Sequence, residues 1–189
     1  MVAKKSKAVS NWLQTTAVRV TRVHFFYVAA FILVTIIFDT WNLYTHQAVS
    51  QLWTAAGILL IVNIIIWYFS RTNFSNKSVY LGLIWALIVA DIIFASYNVS
   101  WQRGIASKSV FLFTIPIIMA ATLRSRTNLF AVTAICAAAY STTSVRYFFQ
   151  NYGQAYRIEL WGTVGFYSAL FFILALLLMI IIAPTSENF

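Results

Sequence analysis

Few side chains in this 189-residue sequence could do chemistry, because it holds only four acidic residues, two histidines and one cysteine. Three polar residues stand out inside apolar stretches: Asp91 in ALIVADIIFASY, Asn63 in LLIVNIIIWY and Asp39 in TIIFDTWNLY. A polar or charged group in hydrocarbon is costly, so it normally faces the interior of a helical bundle and finds a partner there. We therefore predict an intramembrane polar site from these three residues. It could bind a ligand or cation, relay a proton, or simply join helices by hydrogen bonds.

The remaining reactive residues predict no catalytic, cofactor or metal site. His24 and His46 lie at opposite ends of the first long apolar stretch, where about 22 residues of helix would separate them by ~33 Å. They cannot share a metal ion at that distance. Cys136 has no second cysteine with which to form an internal disulfide. Phosphate-binding glycine loops, paired histidine and glutamate spacings and nucleophile elbows do not occur, so the sequence predicts a protein that is not an enzyme.

The composition explains why polar residues matter so much here. The chain is 61% hydrophobic and only 9% charged, whereas a soluble domain carries roughly 25% charged residues. Lipid is the solvent that suits this composition, and two prolines and six glycines leave long stretches free to form helices. The basic residues fall between apolar blocks, where they contact lipid head groups rather than nucleic acid. The bilayer is the predicted partner, and nucleic-acid binding is not predicted.

Six apolar blocks predict an all-α polytopic membrane bundle of six transmembrane helices, residues 24–183, because a bilayer core of ~30 Å needs about 20 helical residues. Residues 1–23 are basic and carry apolar residues at helical spacing, which predicts a short interfacial helix or else a disordered basic tail. Residues 184–189 are the predicted cytoplasmic tail. The blocks are approximately 24–45, 51–70, 79–98, 108–123, 127–145 and 159–183.

Basic residues predict the orientation. With the N-terminus inside, nine lysines and arginines fall on the cytoplasmic side and four on the outer side. Six spans then return the C-terminus to the cytoplasm, and we expect a multi-pass protein of a bacterial inner membrane. The junction at Arg124 to Arg126 is the uncertain turn. Blocks four and five form either a helical hairpin or one long bent element, and two arginines within a lipid-exposed span favour the hairpin.

Two features predict how these helices pack. Pro116 in the fourth block removes a backbone hydrogen bond to Leu112, so we expect a kink that is either static or a hinge. Ala134, Ala138 and Thr142 follow the spacing that lets helix backbones approach closely. That face would pack inside the bundle or against a membrane-protein partner, including a second copy of the chain.

Residues 86–145 resemble the multi-span N-terminal sensor modules of bacterial histidine kinases. The resemblance lies in an acid-bearing span (ALIVADIIFASY), a loop (RGIASKS), the segment FLFTIPIIMAATL, a polar break (RSRTN) and an alanine-rich span (LFAVTAICAAAYS). In that family, the last span leads into a dimerisation helix and an ATP-binding kinase domain. Here only PTSENF follows Ala183. The resemblance therefore implies a sensor-like module without its output domain, or a fragment, and it assigns no catalytic residue.

Two functions follow from these observations. The first is a non-enzymatic, sensor-like or partner-binding membrane module. The alternative is a small-molecule transporter or its substrate-binding subunit, because six spans in about 190 residues also resemble the vitamin-binding subunits of energy-coupling-factor transporters. The scarcity of glycine argues against this alternative, as does the lack of the broken helices that many transporters use.

Overall fold

The computed structural model describes residues 2–76, 78–102, 104, 107–151 and 157–182, with side chains described from residue 12 onward. All its regular elements within this part of the chain are helical, so the all-α prediction is confirmed. The predicted tail, 184–189, lies outside the described residues. The elements are α1 (Val2–Thr40), α2 (His46–Arg71), α3 (Ser78–Trp101), a 3-10 helix (Lys108–Phe113), α4 (Thr114–Ala121), α5 (Arg126–Asn151) and α6 (Arg157–Ile181).

Five helices within the described residues are long and apolar enough to span a membrane, and they fall within α1, α2, α3, α5 and α6. Each of these spans has at least 24 residues, which is ample for a hydrocarbon core of ~30 Å. Large apolar side chains such as Phe166, Ile173 and Leu177 are exposed along α6, as expected where lipid is the neighbour. The prediction of six membrane-length helices is therefore wrong by one.

The missing span is the fourth apolar block, predicted at 108–123. It forms the 3-10 helix and α4 in succession, and neither is of membrane length. Together they rise by ~24 Å, at ~2.0 Å per residue in the 3-10 part and ~1.5 Å in the α part. Composition alone suggested a span, but the segment is shorter than the hydrocarbon core.

The separate interfacial helix predicted for residues 1–23 is also absent. Instead, α1 continues without interruption from Val2 to Thr40. No glycine or proline occurs in that stretch, so nothing in the backbone breaks the helix where the composition changes from basic to apolar. The change in polarity at about residue 24 marks a change in surroundings rather than a helix boundary.

A tight turn joins α4 to α5, so blocks four and five form two separate helices rather than one long bent element. Arg124 adopts a positive φ of 53°, and its backbone N–H donates to the Ala121 carbonyl at 3.1 Å. The hydroxyl of Ser125 accepts from the Asn128 backbone N–H at 3.3 Å, which caps the start of α5. The two helices then pack against each other. The arginine is exposed in this turn rather than placed within a helix.

The chain forms two compact units, Met1–Ala90 and Asp91–Phe189, and the division falls within α3. In the first unit, α1 and α2 pack as a hairpin. Thr45 caps α2 by accepting from the Ala48 backbone N–H at 3.4 Å. At the other end, the Gln14 side-chain amide donates to Asn73 at 3.1 Å. The bond between Gln14 and Asn73 joins α1 to the loop that follows α2.

In the second unit, α5 packs against both α4 and α6, and α4 also packs against α6. An aromatic cluster lies at this junction, with neighbouring ring centroids 5.7–6.0 Å apart. Tilted and edge-to-face rings at such distances are favourable beyond the area they bury. The cluster comprises Phe113 at the end of the 3-10 helix, Tyr140 on α5, and Tyr167 and Phe171 on α6.

Tyr80 holds the connection between α2 and α3. Its hydroxyl donates to the Thr72 carbonyl at 2.8 Å and accepts from the Phe74 backbone N–H at 3.0 Å. We expect Tyr80→Phe to destabilise the chain by about 1–3 kcal/mol, because it leaves two backbone groups without this partner. Thermal unfolding in detergent measures the effect. Tyr68→Phe, at an exposed tyrosine on α2, is the control; an equal loss there would contradict the role of the Tyr80 hydroxyl.

Candidate functional site

The three residues predicted to form one polar site occupy different surroundings. Asp39 is exposed near the end of α1, so it is not part of a buried cluster. Asn63 is fully buried on α2, and its side-chain amide donates to the Thr21 carbonyl on α1 at 3.4 Å. Eighteen residues of helix, or ~27 Å, separate Thr21 from Asp39, so Asn63 and Asp39 do not come together. Asn63 joins two helices, as the alternative of hydrogen bonds between helices anticipated.

Asp91 is buried on α3 in the second unit. Its carboxyl group lies within electrostatic range of the Cys136 thiol on α5. No three histidine, cysteine, aspartate or glutamate side chains among the described residues are grouped as a metal site would require. His24 is buried and contacts the ring of Tyr27, whereas His46 is exposed at the start of α2.

Pro116 lies in the first turn of α4, directly after the change from 3-10 to α-helix. A proline fits there because its missing N–H would have had no α-helical partner in the first turn. The predicted kink position thus coincides with a change of helix type. Whether it acts as a hinge stays a prediction.

The small residues Ala134, Ala138 and Thr142 lie on the exposed side of α5. The opposite side faces the interior, so these three residues are not part of the buried side of α5 within the described residues. Whether they contact a partner or pack inside the bundle stays a prediction. The buried residues of α5 are Leu129, Val132, Thr133, Cys136, Ala137, Tyr140, Ser144 and Phe148.

Three buried polar residues that sequence reasoning missed have unsatisfied hydrogen-bonding atoms. The side-chain oxygen of Asn98 and the hydroxyls of Tyr140 and Ser144 are buried and have no hydrogen-bond partner within the described part of the chain. Such groups are rare in folded proteins, because leaving one unsatisfied costs about 1–3 kcal/mol. Their spacing was a usable signal: Asn98 follows Asp91 by seven residues, and Ser144 follows Tyr140 by four, so each pair shares a helix face.

These hydroxyls differ from the others on the same helix. The hydroxyl of Thr133 donates to the Leu129 carbonyl at 2.8 Å, and that of Ser141 donates to the Ala137 carbonyl at 2.6 Å. This bond to the preceding turn is the usual way for a serine or threonine in an apolar helix to satisfy its proton. Tyr140 and Ser144 approach each other one turn apart, but not at hydrogen-bonding geometry.

Two contacts place Asn98 at the level of these hydroxyls. Asp91 lies near Cys136, and Gly104, just beyond the end of α3, lies against the ring of Tyr147 on α5. The two helices therefore run in the same direction within the second unit. Measured from these paired positions, Asn98 is ~10 Å along α3 and Ser144 is ~12 Å along α5. We call Asn98, Tyr140 and Ser144 the polar seam.

A hydrogen bond closes the region near the end of α3. The hydroxyl of Ser109 in the 3-10 helix donates to the Gln102 side-chain oxygen at 2.6 Å, and both residues are buried. Tyr140 also belongs to the aromatic cluster, with its ring centroid 6.0 Å from that of Phe113.

The five long apolar helices define the class: the chain is a multi-pass helical membrane protein with five candidate spans. Comparison with protein-family models, with curated proteins and with solved structures finds no match.

Proposed function

We propose that the chain is a non-enzymatic, sensor-like or partner-binding membrane module. The observation that carries this proposal is the two-sided character of α5. Its buried side bears Tyr140 and Ser144 with unsatisfied hydroxyls, while its exposed side bears Ala138 and Thr142 at the spacing of close helix contacts. One rigid helix thus links a polar position inside the unit to a surface suited to a partner helix.

The physical basis of such a sensor is a difference in binding energy between two positions of α5. A ligand that satisfies the buried hydroxyls in one position but not in the other shifts the population towards the first. Each buried hydroxyl contributes about 1–3 kcal/mol to that difference, which is enough to change a population ratio by roughly tenfold. The exposed small-residue side moves with the helix and would transmit the change to a partner.

Site-specific photo-crosslinking in native membranes tests this proposal. A crosslinking residue in place of Ala138 is expected to give one defined adduct, with a second copy or with another membrane protein. The same residue at Ala169, an exposed alanine on α6, is the matched control. We further expect Tyr140→Phe to change the adduct yield at position 138 by at least about twofold. Adducts with lipid alone at both positions would contradict the partner-binding function.

A second candidate is a small-molecule transporter or its substrate-binding subunit. Buried Asp91 favours it, because acids within membrane helices commonly mark substrate or ion pathways. Uptake into vesicles or cells, compared between the unmodified protein and Asp91→Asn, discriminates between the two functions. Uptake by Asn63→Ala is measured for comparison, because Asn63 is a buried polar residue that joins two helices. Substrate accumulation that depends on Asp91 would favour transport over sensing.

The cellular placement belongs to the same proposal. An inner-membrane protein with both ends of the chain in the cytoplasm requires that the 3-10 helix and α4 bring the chain back across the bilayer. The parallel course of α3 and α5 supports this, because the short segment between them reverses direction. Labelling of single cysteines at Arg124 and at Asn42 from either side of the membrane tests the arrangement.

A further inference from the structure

Three exposed arginines of the first unit lie towards one end of the α1–α2 hairpin: Arg19 and Arg22 on α1, and Arg71 at the end of α2. We call them the arginine face. Asp39 is the only acidic residue among residues 1–90, and it lies 17 helical residues, or ~26 Å, from Arg22. The first unit therefore leaves the positive charge of the arginine face unbalanced.

Aromatic packing holds Arg71 in place. Its guanidinium carbon lies 4.5 Å from the centroid of the Trp67 ring, which is the geometry of a cation–π contact. The Trp67 ring in turn meets the ring of Phe25 on α1 edge-on, with centroids 6.0 Å apart. Arg22 precedes Phe25 by three residues and so shares its side of α1. Arg22 and Arg71 therefore lie on the same side of the hairpin, next to one packed aromatic pair.

The register of the hairpin brings the arginines to similar levels. The hydrogen bond from the Asn63 side-chain amide to the Thr21 carbonyl pairs these two positions. Trp67, over which the Arg71 guanidinium lies, is four residues, or ~6 Å, beyond Asn63. Because α1 and α2 run antiparallel, Arg19 is ~3 Å beyond Thr21 in the same direction. The Trp67 position and Arg19 are thus offset by only ~3 Å along the hairpin.

This level coincides with the edge of the hydrocarbon core. A core of ~30 Å takes about 20 helical residues, and about 20 residues counted back from the end of α1 at Thr40 reach Thr21, next to Arg22. On α2, the apolar block ends directly before Arg71. Long basic side chains at such positions extend towards the head groups while their stems stay among apolar groups. The arginine face therefore lies at the depth of the lipid phosphates.

Exposed apolar side chains continue from the arginine face towards the centre of the bilayer. Phe26 follows Arg22 by four residues, so it lies one turn further in on the same side of α1, and it is 74% exposed. On α2, Ile64 precedes Arg71 by seven residues, two turns further in on the same side, and is 46% exposed. A soluble anion would match the charge but not these apolar side chains. A phospholipid matches both.

We propose that the arginine face binds an anionic phospholipid, with the lipid phosphate at Arg22 and Arg71 and an acyl chain along Phe26. A guanidinium group suits this ligand because its planar fork donates two parallel hydrogen bonds to a phosphate. An anionic head group binds better than a zwitterionic one, because three arginines repel the ammonium group that the zwitterionic head group carries. This inference goes beyond the sensor or partner-binding function and does not depend on it.

Native mass spectrometry of the full chain in detergent micelles tests the proposal. Palmitoyl-oleoyl phosphatidylglycerol is the probe, and the phosphatidylcholine with the same acyl chains is the matched control lipid. We expect Arg22→Gln and Arg71→Gln each to weaken the binding of phosphatidylglycerol by about fivefold, the loss expected for one arginine near a lipid phosphate. Arg126→Gln removes the same charge from an exposed arginine at the start of α5, and it should weaken binding by less than about twofold.

Arg71→Lys separates a structured site from attraction by charge alone. Lysine keeps the positive charge but has neither the planar fork nor the flat group that lies over Trp67. We expect this variant to weaken the binding of phosphatidylglycerol by about threefold or more. Unchanged affinity in Arg71→Lys would mean a diffuse attraction and would overturn the proposal.

Two further results would also overturn it: equal binding of the two lipids, or losses in Arg126→Gln as large as those in Arg71→Gln. The arginines are exposed, so their variants should keep the unfolding temperature of the protein without added lipid. If Arg71→Gln does not fold, Arg22→Gln and Arg71→Lys decide the outcome. Because none of these measurements uses crosslinking at position 138, failure of the lipid site is distinguishable from failure of the sensor function.

Discussion

Gly104→Ala is expected to be among the most destabilising single substitutions in this chain, although it adds only one methyl group. Gly104 has a positive φ of 60°, and a Cβ atom there would lie 2.5 Å from Cδ1 and 2.8 Å from Cγ of Tyr147. The left-handed backbone costs roughly 1–2 kcal/mol for a residue with a Cβ atom, and overpacking adds roughly 1–3 kcal/mol. We expect a combined loss of about 2–4 kcal/mol, measured by unfolding in mixed detergent micelles.

A matched substitution and a double variant isolate the cause. Gly82 on α3 has no atom within 4 Å of an added Cβ, so Gly82→Ala should change stability by less than about 0.5 kcal/mol. In the double variant with Tyr147→Ala and Gly104→Ala, the added methyl group no longer meets the tyrosine ring. The double variant should recover the stability lost to that clash, with a coupling energy of about 1–2 kcal/mol. Equal effects of the two glycine substitutions would mean that the loop after α3 does not lie against Tyr147. The parallel course of α3 and α5 would then lose its support.

Phe113→Ala tests the aromatic cluster, and its effect should be the second largest. Phe113 is fully buried, with ring centroids 6.0 Å from Tyr140 and 5.9 Å from Phe171. Because lipid surrounds the helices, burial of the Phe113 ring removes little apolar surface from water. The expected loss of stability in Phe113→Ala therefore comes from the cavity and from the missing ring contacts. A cavity of ~100 Å³ costs about 2 kcal/mol, to which the lost aromatic contacts add.

Phe111 provides the control within the same 3-10 helix. It is 63% exposed and touches only the edge of the cluster, with its ring 6.4 Å from Tyr167. We expect Phe111→Ala to cost less than about 1 kcal/mol in the same unfolding experiment. If both phenylalanine substitutions had equal effects, the 3-10 helix would not be held by the cluster, and the position of Pro116 immediately after it would have no packing basis.

Several features of this fold were predictable because they depend on local composition. Long apolar stretches without proline identified α2, α3, α5 and α6, and the pair of arginines identified the turn before α5. Two features were not. The continuity of α1 through its basic half was not predicted, because the sequence changes from basic to apolar there. That change in polarity does not interrupt the backbone hydrogen bonds of the helix. The shortness of α4 was hidden because apolar composition does not distinguish a membrane-length helix from a shorter segment in two helix types.

The site was less predictable than the helices. Asp39, Asn63 and Asp91 were predicted as a site because they interrupt apolar stretches, yet Asp39 is exposed and Asn63 joins α1 with α2. Ser144 was missed because serine in an apolar helix usually satisfies itself by bonding to the preceding turn, as Ser141 does. Only the tertiary structure shows that Ser144 does not. The small-residue spacing on α5 was visible in the sequence, but the side on which it lies was not.

The sequence by itself determined that this chain is helical and belongs in a membrane, because transfer into lipid is a sum of residue contributions that needs no knowledge of neighbours. The tertiary structure decided which side of α5 is buried, where the fourth apolar block ends, and that Asn98 reaches the level of Tyr140 and Ser144. Those outcomes depend on contacts between residues some 40 positions apart. The hydrogen-bonding partner of a buried polar group is such a contact, which is why a polar site within apolar helices can be suspected from sequence but located only in the fold.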